Sequence, residues 1–541
     1  TIISESMNTK QIVLNSISDD RNFTTDILES KTYVAPPPGT TNHKVGEKFG
    51  VGGIKSNTTS SVGSFLFVAN DKHKYTNGSQ NGYAQTTFTR GHDWGIFYNV
   101  SGDWKYFAYI KPETIPGSQG TLDQKHGDMG FTLATYGDYV AISAPSAMRD
   151  SSNPTYKTGI IYVRQLDIDY FNTEWAQNER FNDANSNYRS VDGDKYFKDH
   201  IGSTANLTYI TPPDGYYSTS THLNNLFGAS IEMNNDYIIA NFVNASQNVP
   251  PDNDMRDGVV FVYKKDNSDG KFKYHQTLKE STEQNSYGIR ISLSGKYLAV
   301  SSPYVSQVDS GNTIRTYVGE VYIYKVNSIG NWSKVATVSP PTSEVKYYMA
   351  FGKDIINLYG DYLFVSASQS ASENGGNDEG YVYIFKKNVL NDNFTHIQTI
   401  TITNTDLFTQ YQIWYHNGAA TAQANVLKYN KSTINFLYKN NILAVPMPTW
   451  KTSPDATDSA KGNVILYQNT NDTTWTKIQE KIGNYMNDRM GISTAMIEDS
   501  SGVEFLYAYE NYWGGGTAGT YTGGIDRVIF PKNIKFDSVN E

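Results

Sequence analysis

The stretch from Tyr287 to Pro303 reads YGIRISLSGKYLAVSSP, the pattern of two short strands joined by a tight turn. Three other stretches repeat this order of apolar, small and turn residues. They read MGFTLATYGDYVAISAP from Met129, FGASIEMNNDYIIANFV from Phe227 and FGKDIINLYGDYLFVSAS from Phe351. A hairpin that recurs along one chain indicates a repeat architecture, so the number of copies decides the fold.

Each hairpin is the first half of a longer unit with four strands, A to D. Strand A follows an aromatic-Gly or Met-Gly step, and strand B is a nearly continuous apolar run such as YLAVSSP. Strand C opens with Gly, as in GEVYIYKV from Gly319, and strand D begins with an aromatic residue, as in NWSKVATV from Asn331. Alternation with a period of two residues indicates half-buried strands, and Gly or Asn in the A–B turns suits tight hairpins. Each unit is therefore predicted to be a four-stranded antiparallel meander.

Seven such units can be counted. Their starts lie near Phe49, Gly130, Phe227, Tyr287, Phe351, Tyr429 and Met490. The seventh unit lacks a strand D, and residues 31–39 (KTYVAPPPG) carry the Pro-Pro pattern that follows strand D elsewhere. We therefore predict that this N-terminal strand completes the last sheet and closes a ring, which favours an all-β, seven-bladed β-propeller over an open solenoid. The predicted regions are an extension over residues 1–30, one propeller over residues 31–536 and a tail over residues 537–541.

Three of these features together resemble a known repeat family. The Phe-Gly step at Phe351, the segment SGKYLAVSSP from Ser294 and strand C from Gly319 resemble FG-GAP repeats, which form the blades of integrin α-subunit propellers. The resemblance covers the chain from residue 31 to about residue 536 and implies the same propeller fold. In that family the A–B hairpin often holds a calcium loop with several Asp residues. The A–B turns here carry one acidic residue or none, and calcium takes roughly six to eight oxygen ligands, so we expect neither a metal nor a cofactor.

One other segment is rich in possible oxygen ligands. Residues 252–257 read DNDMRD and fall between strands B and C of the third unit. Because their spacing is irregular, a solvated acidic loop is favoured there, with a calcium site as the alternative.

The composition restricts the classes of partner. The chain has a net charge of -9 and no Cys, which argues against nucleic-acid binding and excludes disulfides and thiolate metal sites. No apolar run approaches the ~20 residues of a membrane span, so we expect no membrane insertion. The first residues, TIISESMNTK, lack the pattern of a signal peptide.

Catalytic motifs are also missing from the sequence. It contains no HExxH, Walker A or GxSxG motif. We therefore predict a non-enzymatic protein without catalytic residues. The alternative is a glycan- or lipid-cleaving enzyme, because paired carboxylates on a propeller can be brought together by the fold without a local motif.

The long and variable segments fall on one predicted face. In a meander the B–C and D–A connections emerge together, opposite the short A–B turns, and such variable connections on a rigid scaffold often carry recognition. The candidate anchors are aromatic residues of the B–C connections, namely Tyr75, Tyr83, Tyr156, Tyr304, Tyr317, Trp450, Tyr512 and Trp513. Residues 167–199, a long C–D connection in the second unit, form a possible separate contact arm on the opposite face.

Together these features predict a surface-displayed binding or structural module. Its expected location is a virion, as a tail, fibre or capsid-decoration protein, and its expected partners are other proteins of the assembly or a receptor or glycan on a host surface. The alternative in the same class is a microbial cell-surface adhesin, which would be extracellular.

Overall fold

A computed structural model describes the strands of the chain and most of the connections in its middle part. The described residues are 29–34, 49–59, 63–70, 94–100, 103–110, 132–145, 159–169, 197–198, 208–213, 227–243, 258–280, 287–369, 379–402, 434–448, 450, 461–484, 488–498, 502–511 and 522–531.

The regular elements of the described residues are thirty β-strands, and two residues, Ile168 and Asp169, are helical. The first ten are β1 (Glu29–Val34), β2 (Phe49–Thr59), β3 (Gly63–Asn70), β4 (Trp94–Val100), β5 (Asp103–Ile110), β6 (Leu133–Tyr136), β7 (Tyr139–Ala144), β8 (Ile160–Gln165), β9 (Thr208–Ile210) and β10 (Ile231–Met233). The next ten are β11 (Tyr237–Val243), β12 (Gly258–Lys265), β13 (Phe272–Leu278), β14 (Ile291–Ser294), β15 (Tyr297–Ser302), β16 (Gln307–Val308), β17 (Ile314–Arg315), β18 (Glu320–Val326), β19 (Trp332–Val338) and β20 (Ile356–Tyr359). The last ten are β21 (Tyr362–Gln369), β22 (Glu379–Lys387), β23 (Phe394–Ile402), β24 (Leu437–Lys439), β25 (Ile442–Met447), β26 (Asn463–Asn469), β27 (Trp475–Ile482), β28 (Ser493–Glu498), β29 (Gly502–Asn511) and β30 (Thr522–Pro531).

Six four-stranded antiparallel sheets are each built from successive strands A to D, and we name them blades 1 to 6. Blade 1 contains β2–β5, blade 2 β6–β9, blade 3 β10–β13, blade 4 β14, β15, β18 and β19, blade 5 β20–β23, and blade 6 β24–β27. A further four-stranded sheet, the terminal sheet, has the order β1-β30-β29-β28. The short hairpin β16–β17 lies between strands B and C of blade 4. The predicted all-β class and propeller architecture are confirmed.

The A strands lie next to one another at the centre of the propeller. Contacts run from β2 to β6, β10, β14 and β20 in turn, and β28 contacts both β24 and β2. Strand D is the outer strand of each sheet. In the terminal sheet, Lys31 of β1 pairs with Arg527 of β30.

The apolar core consists of layers between neighbouring sheets. One cluster joins blades 3 and 4 and includes Tyr237, Leu298, Tyr322 and Trp332. Equivalent clusters join blades 2 and 3, blades 4 and 5, blades 5 and 6, and blade 6 and the terminal sheet. Blades 3 to 6 therefore each contribute to two layers, one on either face.

Aromatic pairs recur within these layers. The first residue of strand B meets the first residue of the next blade's strand D edge to face, with ring centroids 5.4 Å apart for Tyr237–Trp332 and 5.7 Å for Tyr362–Trp475. This geometry is the preferred one for two aromatic rings. The repeated aromatic residues of strands C and D thus serve packing between blades.

Two sequence signals, the aromatic-Gly step and the Gly that opens strand C, are explained by one contact. A Cβ atom at Gly258 would lie 1.7 Å from the carbonyl oxygen of Tyr287, and one at Gly319 would lie 2.5 Å from that of Phe351. The amide of Phe351 also donates to the carbonyl of Val318 at 2.8 Å. The step of one blade therefore rests on the opening Gly of the preceding strand C, where a larger residue does not fit.

Candidate binding surface on blades 4 and 5

The B–C connection of blade 4 contains the short hairpin β16–β17, which forms a separate two-stranded sheet. Its turn is held by Asp309, whose Oδ1 accepts hydrogen bonds from the amides of Gly311 (2.9 Å) and Thr313 (2.8 Å). The other carboxylate oxygen, Oδ2, accepts from Nε of Arg315 at 2.8 Å. These bonds to the charged form lower the pKa of Asp309. The hairpin is thus held in one conformation by local bonds.

The end of this connection pairs with the segment that leads into blade 5. The amide of Tyr348 donates to the carbonyl of Thr316 at 3.1 Å, and the amide of Ala350 donates to that of Tyr317 at 2.9 Å. Tyr317 and Tyr348 both adopt left-handed backbone conformations, with φ of 56° and 58°. Such conformations are unusual for bulky side chains and cost of the order of 1–3 kcal/mol each. Strain of this kind is found most often at functional sites.

This pairing brings four tyrosine rings together, and we call Tyr304, Tyr317, Tyr347 and Tyr348 the tyrosine cluster. Ring centroids are 5.6 Å apart for Tyr304–Tyr317, 5.1 Å for Tyr317–Tyr348 and 6.5 Å for Tyr347–Tyr348. The guanidinium of Arg315 lies 4.5 Å from the ring centre of Tyr347. Tyr348 is 39% exposed, and the other three are half-buried. All four rings are therefore at least partly accessible to solvent.

Charged groups lie beside the cluster at the inner end of blade 5. The ammonium of Lys353 is 5.8 Å from the ring centre of Tyr304, and Nε of Arg290 donates to the carbonyl of Lys353 at 3.3 Å. Lys353 and Arg290 are each only 8% exposed. Burial lowers the pKa of Arg290 to about 10. Burial also raises the pKa of Asp354, and the charges of Lys353 and Arg290 offset that rise in part.

The structure places three of the eight predicted anchors. Tyr304 and Tyr317 contact each other in the tyrosine cluster. Trp450 is half-buried and packs against the apolar layer between blades 5 and 6, so part of its ring serves folding. The remaining anchors lie outside the described residues, namely Tyr75, Tyr83, Tyr156, Tyr512 and Trp513.

The two other candidate segments lie almost entirely outside the described residues. Nothing in 252–257 is described, and of 167–199 only the ends are. At the far end, Phe197 is buried with the guanidinium of Arg164 4.2 Å from its ring centre, and the amide of Lys198 donates to the carbonyl of Gln165 at 2.8 Å. The segment is therefore fixed to strand C of blade 2 where it returns.

Sequence reasoning missed Tyr347, Tyr348 and Lys353. They belong to the D–A connection and to the step of blade 5, whereas all eight predicted anchors belong to B–C connections. The segment KYYMAFGKD, Lys346 to Asp354, contains the signal, since two adjacent Tyr precede the Phe-Gly step. Only the pairing of the two connections shows that these residues share a surface.

Two further observations concern the described part of the chain. It holds no group of three or more His, Asp or Glu side chains arranged to bind a metal ion. None of its helical residues forms a segment long and apolar enough to cross a membrane.

No protein-family model matches the sequence, and no curated protein sequence matches it either.

Proposed function

We propose that this protein is a non-enzymatic binding module displayed on a virion as a tail, fibre or capsid-decoration protein. It contacts another protein of the assembly, or a receptor or glycan on the host surface, through the face that carries the B–C and D–A connections. The observation that supports this function best is the tyrosine cluster. Four rings meet at the solvent-exposed junction of two connections, outside the layers in which other aromatic residues stabilise the propeller.

The backbone of the cluster also favours binding. Tyr317 and Tyr348 are held in left-handed conformations by hydrogen bonds between the two connections. A surface that is already ordered loses little conformational entropy when a partner binds. Tyrosine gives a large contact area with few rotatable bonds and dominates many binding hot spots. The energetic cost of the strained backbone is consistent with selection for presentation of these rings.

The test compares a variant of the cluster with a matched surface variant. Tyr317→Asn with Tyr348→Asn removes two rings, and Asn tolerates the left-handed backbone better than Ala does. Tyr136→Ala is the control, because Tyr136 is 48% exposed and precedes the A–B turn of blade 2 on the opposite face. We expect the double variant to bind host surfaces or virion proteins at least tenfold more weakly, about 1.4 kcal/mol, with unchanged secondary structure.

Two outcomes would contradict the proposal. Binding that is equal in the double variant, the control and the unmodified protein would place the contact elsewhere. Recovery of the protein from cell envelopes, and not from purified virus particles, would favour the microbial adhesin over the virion component.

We also infer that the propeller has seven blades and is closed by the N-terminal strand, with blades of the FG-GAP type. Closure is supported by the pairing of β1 with β30 and by the contact of β2 with β28 and β29. The FG-GAP assignment is supported by the recurrent contact of the aromatic-Gly step with the Gly that opens strand C. Closure in this way would present the tyrosine cluster on a rigid ring.

A further inference from the structure

The short hairpin β16–β17 has a polar face and an aliphatic face. Gln307 lies opposite Arg315, and Val308 lies opposite Ile314. Because successive residues of a strand point to opposite faces, the two polar residues share one face and the two aliphatic residues share the other. In an antiparallel sheet at a protein surface, the polar face is normally the one in contact with solvent. This hairpin shows the reverse arrangement.

The polar face of the hairpin contacts the rest of the protein. Nε2 of Gln307 donates to Oε2 of Glu320, in strand C of blade 4, at 2.9 Å. The guanidinium of Arg315 lies 4.5 Å from the ring centre of Tyr347, and its Nη2 is 2.7 Å from Oδ2 of Asp309. The charges of Arg315 and Asp309 therefore balance each other within the chain.

The aliphatic face of the hairpin is open to solvent. Ile314 is 65% exposed and Val308 is 48% exposed. Single exposed aliphatic side chains are common on protein surfaces, but here both members of a cross-strand pair are exposed. The hairpin is held in place by the bonds of Asp309 and by the amide of Ser310, which donates to the carbonyl of Thr342 at 3.1 Å. An ordered aliphatic pair of this kind loses little conformational entropy when a partner covers it.

We propose that Val308 and Ile314 form a contact site for an uncharged, aliphatic segment of a protein partner. This inference rests on the proposed function and specifies the partner as a protein instead of a glycan. Aliphatic side chains offer no hydrogen-bonding group to the hydroxyls of a sugar, whereas burial against the apolar surface of another protein is favourable for them. Since Asp309 and Arg315 already balance each other, the partner needs no charge at this position.

The test uses the intact protein and a displayed library of random short peptides. Peptides that the protein retains are synthesised and titrated by calorimetry at low and at high salt concentration. We expect the retained peptides to be rich in aliphatic residues and poor in charged ones. We also expect their affinity to change by less than about threefold between about 0.05 and 0.5 M NaCl, because salt screens charge pairs and not apolar contacts.

Variants then assign the binding to the hairpin. Val308→Thr with Ile314→Thr keeps the branched side chains that strands favour and makes the aliphatic face polar. We expect this double variant to bind the retained peptides at least about tenfold more weakly, with an unchanged melting temperature because both residues are exposed. Ile329→Thr is the matched control, since Ile329 is 69% exposed in the C–D turn of the same blade, and it is expected to retain the binding of the unmodified protein.

Three results would overturn the inference. They are a library from which no peptide binds, retained peptides whose binding depends on a charged residue, and peptide binding that survives Val308→Thr with Ile314→Thr. The proposed function would remain in each case if Tyr317→Asn with Tyr348→Asn still lost its attachment to virion proteins or host surfaces. If the double Thr variant melts at a lower temperature than the unmodified protein, the single variant Ile314→Thr, at the more exposed position, takes its place in the same titration.

Discussion

At the residue scale, the spacing between blades depends on the absence of side chains at a few positions. Gly258 and Gly319 lie where the backbone of the next blade's step approaches most closely. Each step is also bonded to its own strand B. The side chains of Ser301 and Ser366 accept hydrogen bonds from the amides of Arg290 and Ile355, at 3.1 and 2.9 Å. The small polar residues within the apolar strand B therefore satisfy buried backbone donors.

Two glycine variants distinguish the cost of a steric clash between blades from the cost of a left-handed backbone conformation. Gly258→Ala places a Cβ atom against the carbonyl of Tyr287. We therefore expect the free energy of unfolding to fall by more than about 3 kcal/mol, the upper end for overpacking, or the variant to yield no soluble protein. Gly295→Ala has free space around its Cβ and a φ of 56°, so we expect a loss of about 1–2 kcal/mol from conformation alone. Denaturant unfolding measures the free energy of unfolding of both variants. Equal losses in the two would contradict the close contact between Gly258 and Tyr287.

A half-buried histidine in blade 5 makes stability depend on pH. His396 lies 5.5 Å from Phe385 between ring centroids and bonds to Oγ1 of Thr399 at 2.9 Å. Burial lowers the pKa of His396, although Glu344 opposes this shift. The unfolded chain therefore binds this proton more readily, and the contribution to stability is lost as the pH falls below about 6.5, the unperturbed value. We expect the melting temperature to fall less between pH 7.5 and 5 in His396→Gln than in the unmodified protein. An identical fall in both would show that His396 is not involved.

At the element scale, outer strands of adjacent blades are joined by a reciprocal amide contact. The amide of Trp332 donates to Oε1 of Gln276 at 2.8 Å, and Nε2 of Gln276 donates to the carbonyl of Trp332 at 2.8 Å. Gln398 makes the same pair of bonds with Trp475. A side chain of one strand D thus satisfies the backbone at the start of the next strand D.

Removal of the Gln276 side chain leaves the N–H and the carbonyl of Trp332 without their hydrogen-bond partner. We expect Gln276→Ala to lower the free energy of unfolding by about 1–3 kcal/mol, the cost of an unsatisfied, partly buried polar group. Thr277→Ala is the control from the same strand, because within the described residues its hydroxyl bonds to the exposed Tyr274. Chemical denaturation followed by tryptophan fluorescence gives the free energy of unfolding of both variants. Similar losses in Gln276→Ala and Thr277→Ala would argue against a stabilising contact between Gln276 and Trp332.

The strands were predictable from the sequence, whereas only part of the tyrosine cluster was predictable. Alternation and turn residues reveal most strands, and an aromatic-Gly or Met-Gly step marks most units, because the contact of this step with the Gly that opens the preceding strand C recurs between blades. Tyr348 and Lys353 could not be assigned in this way. Their approach to Tyr304 depends on left-handed backbone at Tyr317 and Tyr348, a conformation that tyrosine disfavours. Residue type therefore gives no signal for the pairing that builds the site.

At the scale of the whole molecule, the proposed ring closure depends on a single short strand. Deletion of residues 1–34 removes β1 and exposes the edge of β30, so we expect a lower melting temperature, a broader transition and self-association. Deletion of residues 1–28 retains β1 and is the matched control, expected to melt like the full chain. Scanning calorimetry and light scattering measure both effects. Equal behaviour of the two truncated proteins would show that β1 is dispensable for the propeller.

The pairing of β1 with β30 also has a consequence for biosynthesis. Residue 31 leaves the ribosome almost five hundred residues before its partner at position 527. The early blades can form their hairpins meanwhile, but each apolar layer needs the following blade, and the terminal sheet needs both β1 and β30. Long-range pairing of this kind slows folding and prolongs exposure of unpaired strand edges. The terminal sheet can therefore form only after β30 has been synthesised, and the edges of β1 and of the early blades stay unpaired until then.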